Sequence, residues 1–327
     1  MKKWLRGSLV RAGVLCIPLM VAACAPVQPI VRDGAGQAVP IRNDVIGDIH
    51  AVAAPGIYTT PIDAAPNPDG STIYFTATSA QGPGVFQIAA AGGDPVAVYA
   101  GAPFADIHGI AVSGDGQTIF VADGGANLVW ALGIDGSTPQ VVMGTEGVAA
   151  SGVEIQPGSD GDMLYVTGAD GGTPGVWRLP AAGGERETVL AGDPLVTPMG
   201  VAIAGDGTVY VVDHDGFGPD RATVLRIKDA ANGVEVTPIA ENFRAGHQAG
   251  AALTTDDTLL AVSALDVDRD SAQVLLVKLD TLDKLAVTKV ISANRGSGGV
   301  HRAHNTDVFA WADHTIQKPG HVYFIKP

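Results

Sequence analysis

Residues 197–213 read TPMGVAIAGDGTVYVVD. Two short apolar runs, GVAI (200–203) and VYVVD (209–213), flank Asp206-Gly207. Asp-Gly between β-rich runs marks a hairpin, because glycine takes positive φ without steric cost. A third run, TVLRI (223–227), follows. The second run recurs as IYFTA (73–77), IFVAD (119–123), LYVTG (164–168), LLAVS (259–263) and FAWAD (309–313), so successive copies end 46, 45, 45, 50 and 50 residues apart. A period of about 40–50 residues is that of propeller blades.

The other strands repeat with it. First runs include GIAV (109–112), GVEI (152–155) and GAAL (250–253), and third runs include GVFQI (84–88), GVWRL (175–179) and HVYFI (321–325). The sixth copy ends at Pro327 after its third strand, and DIHAVA (48–53) precedes the first copy. The expectation is an all-β, six-bladed β-propeller over residues 45–327, closed by that N-terminal strand. Closure removes a sheet edge that would otherwise template aggregation.

The first 26 residues, MKKWLRGSLVRAGVLCIPLMVAACAP, have a basic head and an apolar run ending in small residues. That is the layout of a secretory signal, too short to span a bilayer. Val21-Ala22-Ala23-Cys24 resembles the bacterial lipobox, which implies cleavage after residue 23 and lipidation of Cys24. Residues 24–44 then read as a lipidated flexible tether. The expected address is the bacterial cell envelope, anchored by lipid to the outer membrane, because Ala25 is not the Asp that favours inner-membrane retention. The only other cysteine is Cys16, so a processed chain has no disulfide. The formal charge is −14; loss of Lys2, Lys3, Arg6 and Arg11 with the leader leaves 16 basic against 34 acidic residues, or −18. Such a field repels phosphate backbones and attracts cations, which argues against nucleic acid as a partner.

Strand parity sorts the polar residues. In an up-and-down blade, residues entering strand one and ending strand two share one face, the top, and those entering strand one lie nearest the axis. Axial candidates are Asp63, Asp106, His108, His247 and His301; Asp123, Asp213, His214, Asp313 and His314 lie farther out on the same rim. Glu154 falls within strand one of blade 3, where it faces either the channel or the rim. Three imidazoles, His108, His247 and His301, could hold one zinc and leave a position open; otherwise they hydrogen-bond to water in a polar channel. DVDRD (266–270) mimics the start of a calcium loop, but Ser271 and Val277 occupy the glycine and glutamate positions. Asp266, Asp268 and Asp270 therefore read as an acidic top rim, with a weak surface calcium as the alternative. The chain has no G-x-S-x-G elbow, P-loop or HExxH.

The 197–213 stretch, and GIAVSGDGQTIFVADGGANLV from Gly109, resemble the NHL repeat, and the whole propeller resembles NHL and gluconolactonase-like proteins. These propellers include binding modules, lactonases and lyases, so the resemblance implies a fold rather than one activity. The gluconolactonase-like enzymes imply an axial divalent ion held by Glu, Asn and Asp. Asp63 and Asp106 could begin such a set, but no Glu enters blade 1. The peptide-amidating lyases imply three axial histidines on zinc, though in alternate blades rather than blades 2, 5 and 6. The leading expectation is a lipid-anchored propeller presenting its top face to a small molecule or protein partner. The alternatives are a metal-dependent lactonase, hydrolase or lyase with one axial Zn or Ca, and a structural subunit of an envelope complex.

Overall fold

The computed structural model describes residues 30–32, 38–39, 41–42, 48–53, 56–214, 221–231, 233–246, 248–266, 271–281, 285–287, 297–313 and 320–326. Every regular element among them is a strand. Six antiparallel four-stranded units form the blades. Their innermost strands, the first of each blade, are Thr60–Pro66, Ile107–Val112, Val148–Gln156, Pro198–Ile203, Ala251–Leu253 and Ser297–Arg302. Each touches the innermost strand of the next blade, and the sixth touches the first. The ring is closed.

The apolar faces explain why the blades stack. Six buried clusters fill the six spaces between neighbouring blades. Between blades 6 and 1, Tyr58 meets Phe75 edge-on at 4.9 Å, and Phe75 stacks on Phe86 at 5.6 Å. Between blades 5 and 6, Trp311 stacks on Tyr323 at 4.9 Å. A four-stranded blade cannot bury both faces alone, so each gains its core only from two neighbours.

Asp48–Ala53 pairs antiparallel with Val322–Lys326 and supplies the fourth strand of blade 6, as the repeat pattern predicts. Within the segment expected to be a flexible tether, short stretches also pair. Ile30–Arg32 joins the outer strand of blade 4, Ala38–Val39 pairs with Ile30–Arg32, and Ile41–Arg42 lies parallel to Leu285–Val287 of blade 5. The outer edges of blades 4 and 5 thus carry added backbone partners. Edge strands expose unpaired N–H and C=O groups, and this pairing satisfies some of them.

At the bottom, aspartates join the turns of neighbouring blades. Asp162 accepts the Gly114 amide, Asp257 the Gly205 amide and Asp307 the Thr255 amide, each at 2.7 Å. Side chains starting strand two of one blade thus cap the turn of the preceding blade.

Candidate functional site

Where the innermost strands converge, blades 2 to 6 have glycine at matching positions: Gly109, Gly152, Gly200, Gly250 and Gly299. A methyl group on Gly152 would overlap the Met199 carbonyl, and one on Gly250 the Val300 amide. Backbones approach too closely there for any side chain. Blade 1 has Asp63 at the matching position, and its carboxylate fills the space beside Gly299 that a Cβ would need.

Two residues farther along each strand the matching positions are Ala65, Ala111, Glu154, Ala202, Ala252 and His301. Four alanines leave room for the two long side chains, which come from blades three apart and meet across the axis. His301 Nδ1 lies 2.9 Å from Glu154 Oε2, and His301 Nε2 lies 2.9 Å from Asp63 Oδ2. Asp63 also accepts the Ala64 amide at 2.7 Å and the Ile110 amide of blade 2 at 3.0 Å. Glu154 accepts the Ile155 amide at 2.8 Å. The His301 side chain is only 7% exposed, and those of Asp63 and Glu154 only 6% and 15%.

Both neighbours of the imidazole are carboxylates, which accept when ionised, so both ring nitrogens must donate. The ring is an imidazolium. Burial alone would pull the His301 pKa down, but the Asp63 and Glu154 charges and hydrogen bonds outweigh it and raise the value to about 10. Burial pushes Glu154 up, yet the His301 charge and hydrogen bond win and leave its pKa below normal. The field of Glu154 also reaches Arg302, where it offsets part of the lowering that burial imposes on the guanidinium. Two carboxylates thus face one imidazolium at the axis.

Above this layer lies a small opening with Asp63, His301, Ser151, Met199 and Gln248 in its lining. Its enclosed part is about 10 Å³, room for about one water molecule.

The histidines expected at the axis do not form one cluster in the described residues. His301 is committed to two carboxylates. His108 is half-buried with Nε2 3.4 Å from Asp106 Oδ2, and the Asp106 carboxylate is largely exposed. His247 lies outside the described residues, as do Cys24, Asp268, Asp270 and His314. Asp266 ends the second strand of blade 5. His304, of undecided direction in the sequence, sits beside the bottom turn with Nε2 2.7 Å from the Val112 carbonyl.

Three aspartates expected on the rim are buried instead. Asp123 accepts the Ala105 and Asp106 amides and the Trp130 indole at 2.9 Å, and the Ala126 amide at 3.0 Å. Asp213 accepts the Val196 and Thr197 amides, the nearest oxygens at 3.0 and 2.8 Å. Asp313 takes the His321 amide at 2.5 Å and the Tyr323 hydroxyl at 2.9 Å. They hold loops in alternate blades, because an ionised carboxylate can accept several N–H groups at once. His214, next to Asp213, has Nε2 3.0 Å from the Gly246 carbonyl of blade 5.

Comparison with solved structures returns propellers at low identity. A gluconolactonase from Xanthomonas campestris superposes with a TM-score of 0.63 at 14% identity, covering 93% of this chain and 99% of that one. The fold is that of the gluconolactonase-like propellers. A calcium-binding protein, regucalcin, from Agrobacterium tumefaciens gives 0.60 at 12% identity, covering 87% and 95%. A chain of a nidogen/laminin complex gives 0.53 at 18%, covering 71% and 86%, so the likeness extends to a protein–protein complex. No family model matches the chain, and no curated protein does.

An axial divalent cation, which the gluconolactonase-like resemblance implies, does not fit this donor set. Both His301 nitrogens carry protons, and three of the four Asp63 and Glu154 oxygens accept backbone amides while the fourth faces the imidazolium. A metal needs a deprotonated imidazole and free oxygen lone pairs aimed at one point. Among the described residues no three His, Cys, Asp or Glu side chains converge in that way.

Proposed function

We propose that this gluconolactonase-like propeller handles a small polar molecule at its axial mouth, and that the chemistry is hydrolysis of a lactone or related ester. The observation that carries this is the pocket floored by Asp63 and His301. Both His301 N–H groups are committed to Asp63 and Glu154, so His301 would act by holding Asp63 in place at the mouth rather than by touching a carbonyl. Ser151 and Gln248 in the lining supply hydroxyl and amide groups for orienting a hydroxylated substrate. The neighbour named a gluconolactonase supports the reaction class. No step passes through a metal.

A second reading is binding without turnover. It is favoured by the saturation of Asp63, whose oxygens already accept two amides and the imidazolium. The experiment that separates the two incubates the soluble domain with five- and six-membered sugar lactones, with and without EDTA. Turnover that EDTA leaves unchanged and His301→Gln abolishes supports hydrolysis. Saturable binding of a lactone or its open acid without turnover leaves the ligand-binding propeller.

The address belongs to the same proposal. Lipidated Cys24 would hold the propeller on the bacterial outer membrane, with its top face open to the small molecule or to a protein partner. Detergent-phase partitioning that survives Cys24→Ala would overturn the anchor.

A further inference from the structure

Asp63 and Glu154 come from blades 1 and 3, and where the six innermost strands converge Asp63 is buried and the Glu154 side chain only 15% exposed. Ionised groups removed from water need an opposing charge and filled hydrogen bonds. Here the opposing charge comes from blade 6. The imidazole of His301 donates one N–H to each carboxylate at 2.9 Å, and nothing but backbone amides meets their remaining described bonds.

We propose that His301 is a resident cation, occupying on the propeller axis the place a bound divalent ion would otherwise take. It neutralises Asp63 and Glu154 and ties blades 1, 3 and 6 together, and the axis accepts a divalent ion only once the imidazole is removed. The sequence pattern supports this role. Four of the six matching positions are alanine, and the two that are not are the two residues that bond across the axis. A single bulky residue would fill the same space, but it would leave Asp63 unpaired. The carboxylate of Asp63 cannot turn away, since two amides from blades 1 and 2 hold it.

The vacancy left by His301→Ala would be flanked by two carboxylates. Calcium takes oxygen ligands at about 2.3–2.6 Å and tolerates water among them, so it can bridge such a gap. A smaller ion with strict octahedral demands would fit it less well.

The proposal goes beyond the hydrolase reading and stands or fails separately, because its readout is stability rather than turnover. Thermal unfolding of the wild-type soluble domain is measured in EDTA and in millimolar calcium chloride, beside His301→Ala and the double variant His301→Ala/Glu154→Gln. The expected result is no calcium response in the wild type, and a melting temperature in His301→Ala that is several degrees lower in EDTA and recovers in calcium. The double variant recovers less, because one of the two flanking charges is gone. Calcium dependence of the wild type that His301→Ala removes would overturn the proposal, and so would a His301→Ala protein indifferent to calcium. If His301→Ala does not fold, ¹⁵N spectra of imidazole-labelled wild type at pH 8 decide. Two protonated nitrogens on one unexposed ring support the resident cation, and a bare ring nitrogen overturns it.

Discussion

Asp123→Ala removes an acceptor that four donors share: the Ala105, Asp106 and Ala126 amides and the Trp130 indole, all at 2.9–3.0 Å. Asp123 is fully buried, whereas Ala105 and Asp106 are exposed. Water can therefore re-satisfy the two exposed amides, which limits the loss. The Ala126 amide and the indole, on half-buried residues, bear the larger penalty, up to about 1–3 kcal/mol for each donor left without a partner. The expected destabilisation is about 2–4 kcal/mol. Unfolding entropy of about 2 cal/mol/K per residue, summed over a propeller of this size, converts that to about 4 to 7 °C in melting temperature. The assay is thermal unfolding followed by far-UV circular dichroism, with Trp130 fluorescence as a local probe. Asp94→Ala is the control, because Asp94 is exposed. A second signature is pH. Burial raises the Asp123 pKa, but hydrogen bonds from Ala105, Asp106, Trp130 and Ala126 outweigh it and lower the value. A depressed carboxylate contributes stability above its unfolded pKa and loses it as pH falls through the folded one. The wild type should therefore lose more stability on acidification than Asp123→Ala. A variant within 0.5 °C of wild type, as a rough limit of measurement, would refute the assignment of Asp123 as a loop clamp.

Three more outcomes follow from the axis and the ring. His301 has a folded pKa raised from 6.5 to about 10, so its stabilisation is complete below 6.5 and declines as pH rises toward 10. The wild type should lose stability as pH rises through that window, and denaturant titrations should show a flatter profile for His301→Gln. Deleting residues through Ala53 strips Val322–Lys326 of its partner and removes Val52 and Ala53 from the core between blades 6 and 1; the melting temperature should fall by several degrees and light scattering should rise, compared with a chain starting at Asp48. Gly250→Ala places a methyl group on the Val300 amide, so it should cost about 2 kcal/mol or more in denaturant unfolding, as overpacking does.

The propeller was legible in the chain because its signals are local and repeat. A hairpin needs only an Asp-Gly turn between β-rich runs, and six spaced copies already imply six blades. Even the closing strand could be named, since the sixth copy lacked a partner and residues 48–53 had none of their own. Parity placed Asp63 and His301 near the axis for the same reason, because strand direction alternates by rule. Parity does not say what a side chain touches. Asp123, Asp213 and Asp313 end strand two at the predicted height, yet they turn inward to gather loop amides, and only the fold brings those amides to them. His301 and Glu154 are 147 residues apart. No local pattern joins them; the closed ring does, by setting blades 3 and 6 across one narrow axis. There the charges of two carboxylates, held at 2.9 Å and shielded from solvent by the converging strands, turn a candidate metal ligand into a cation.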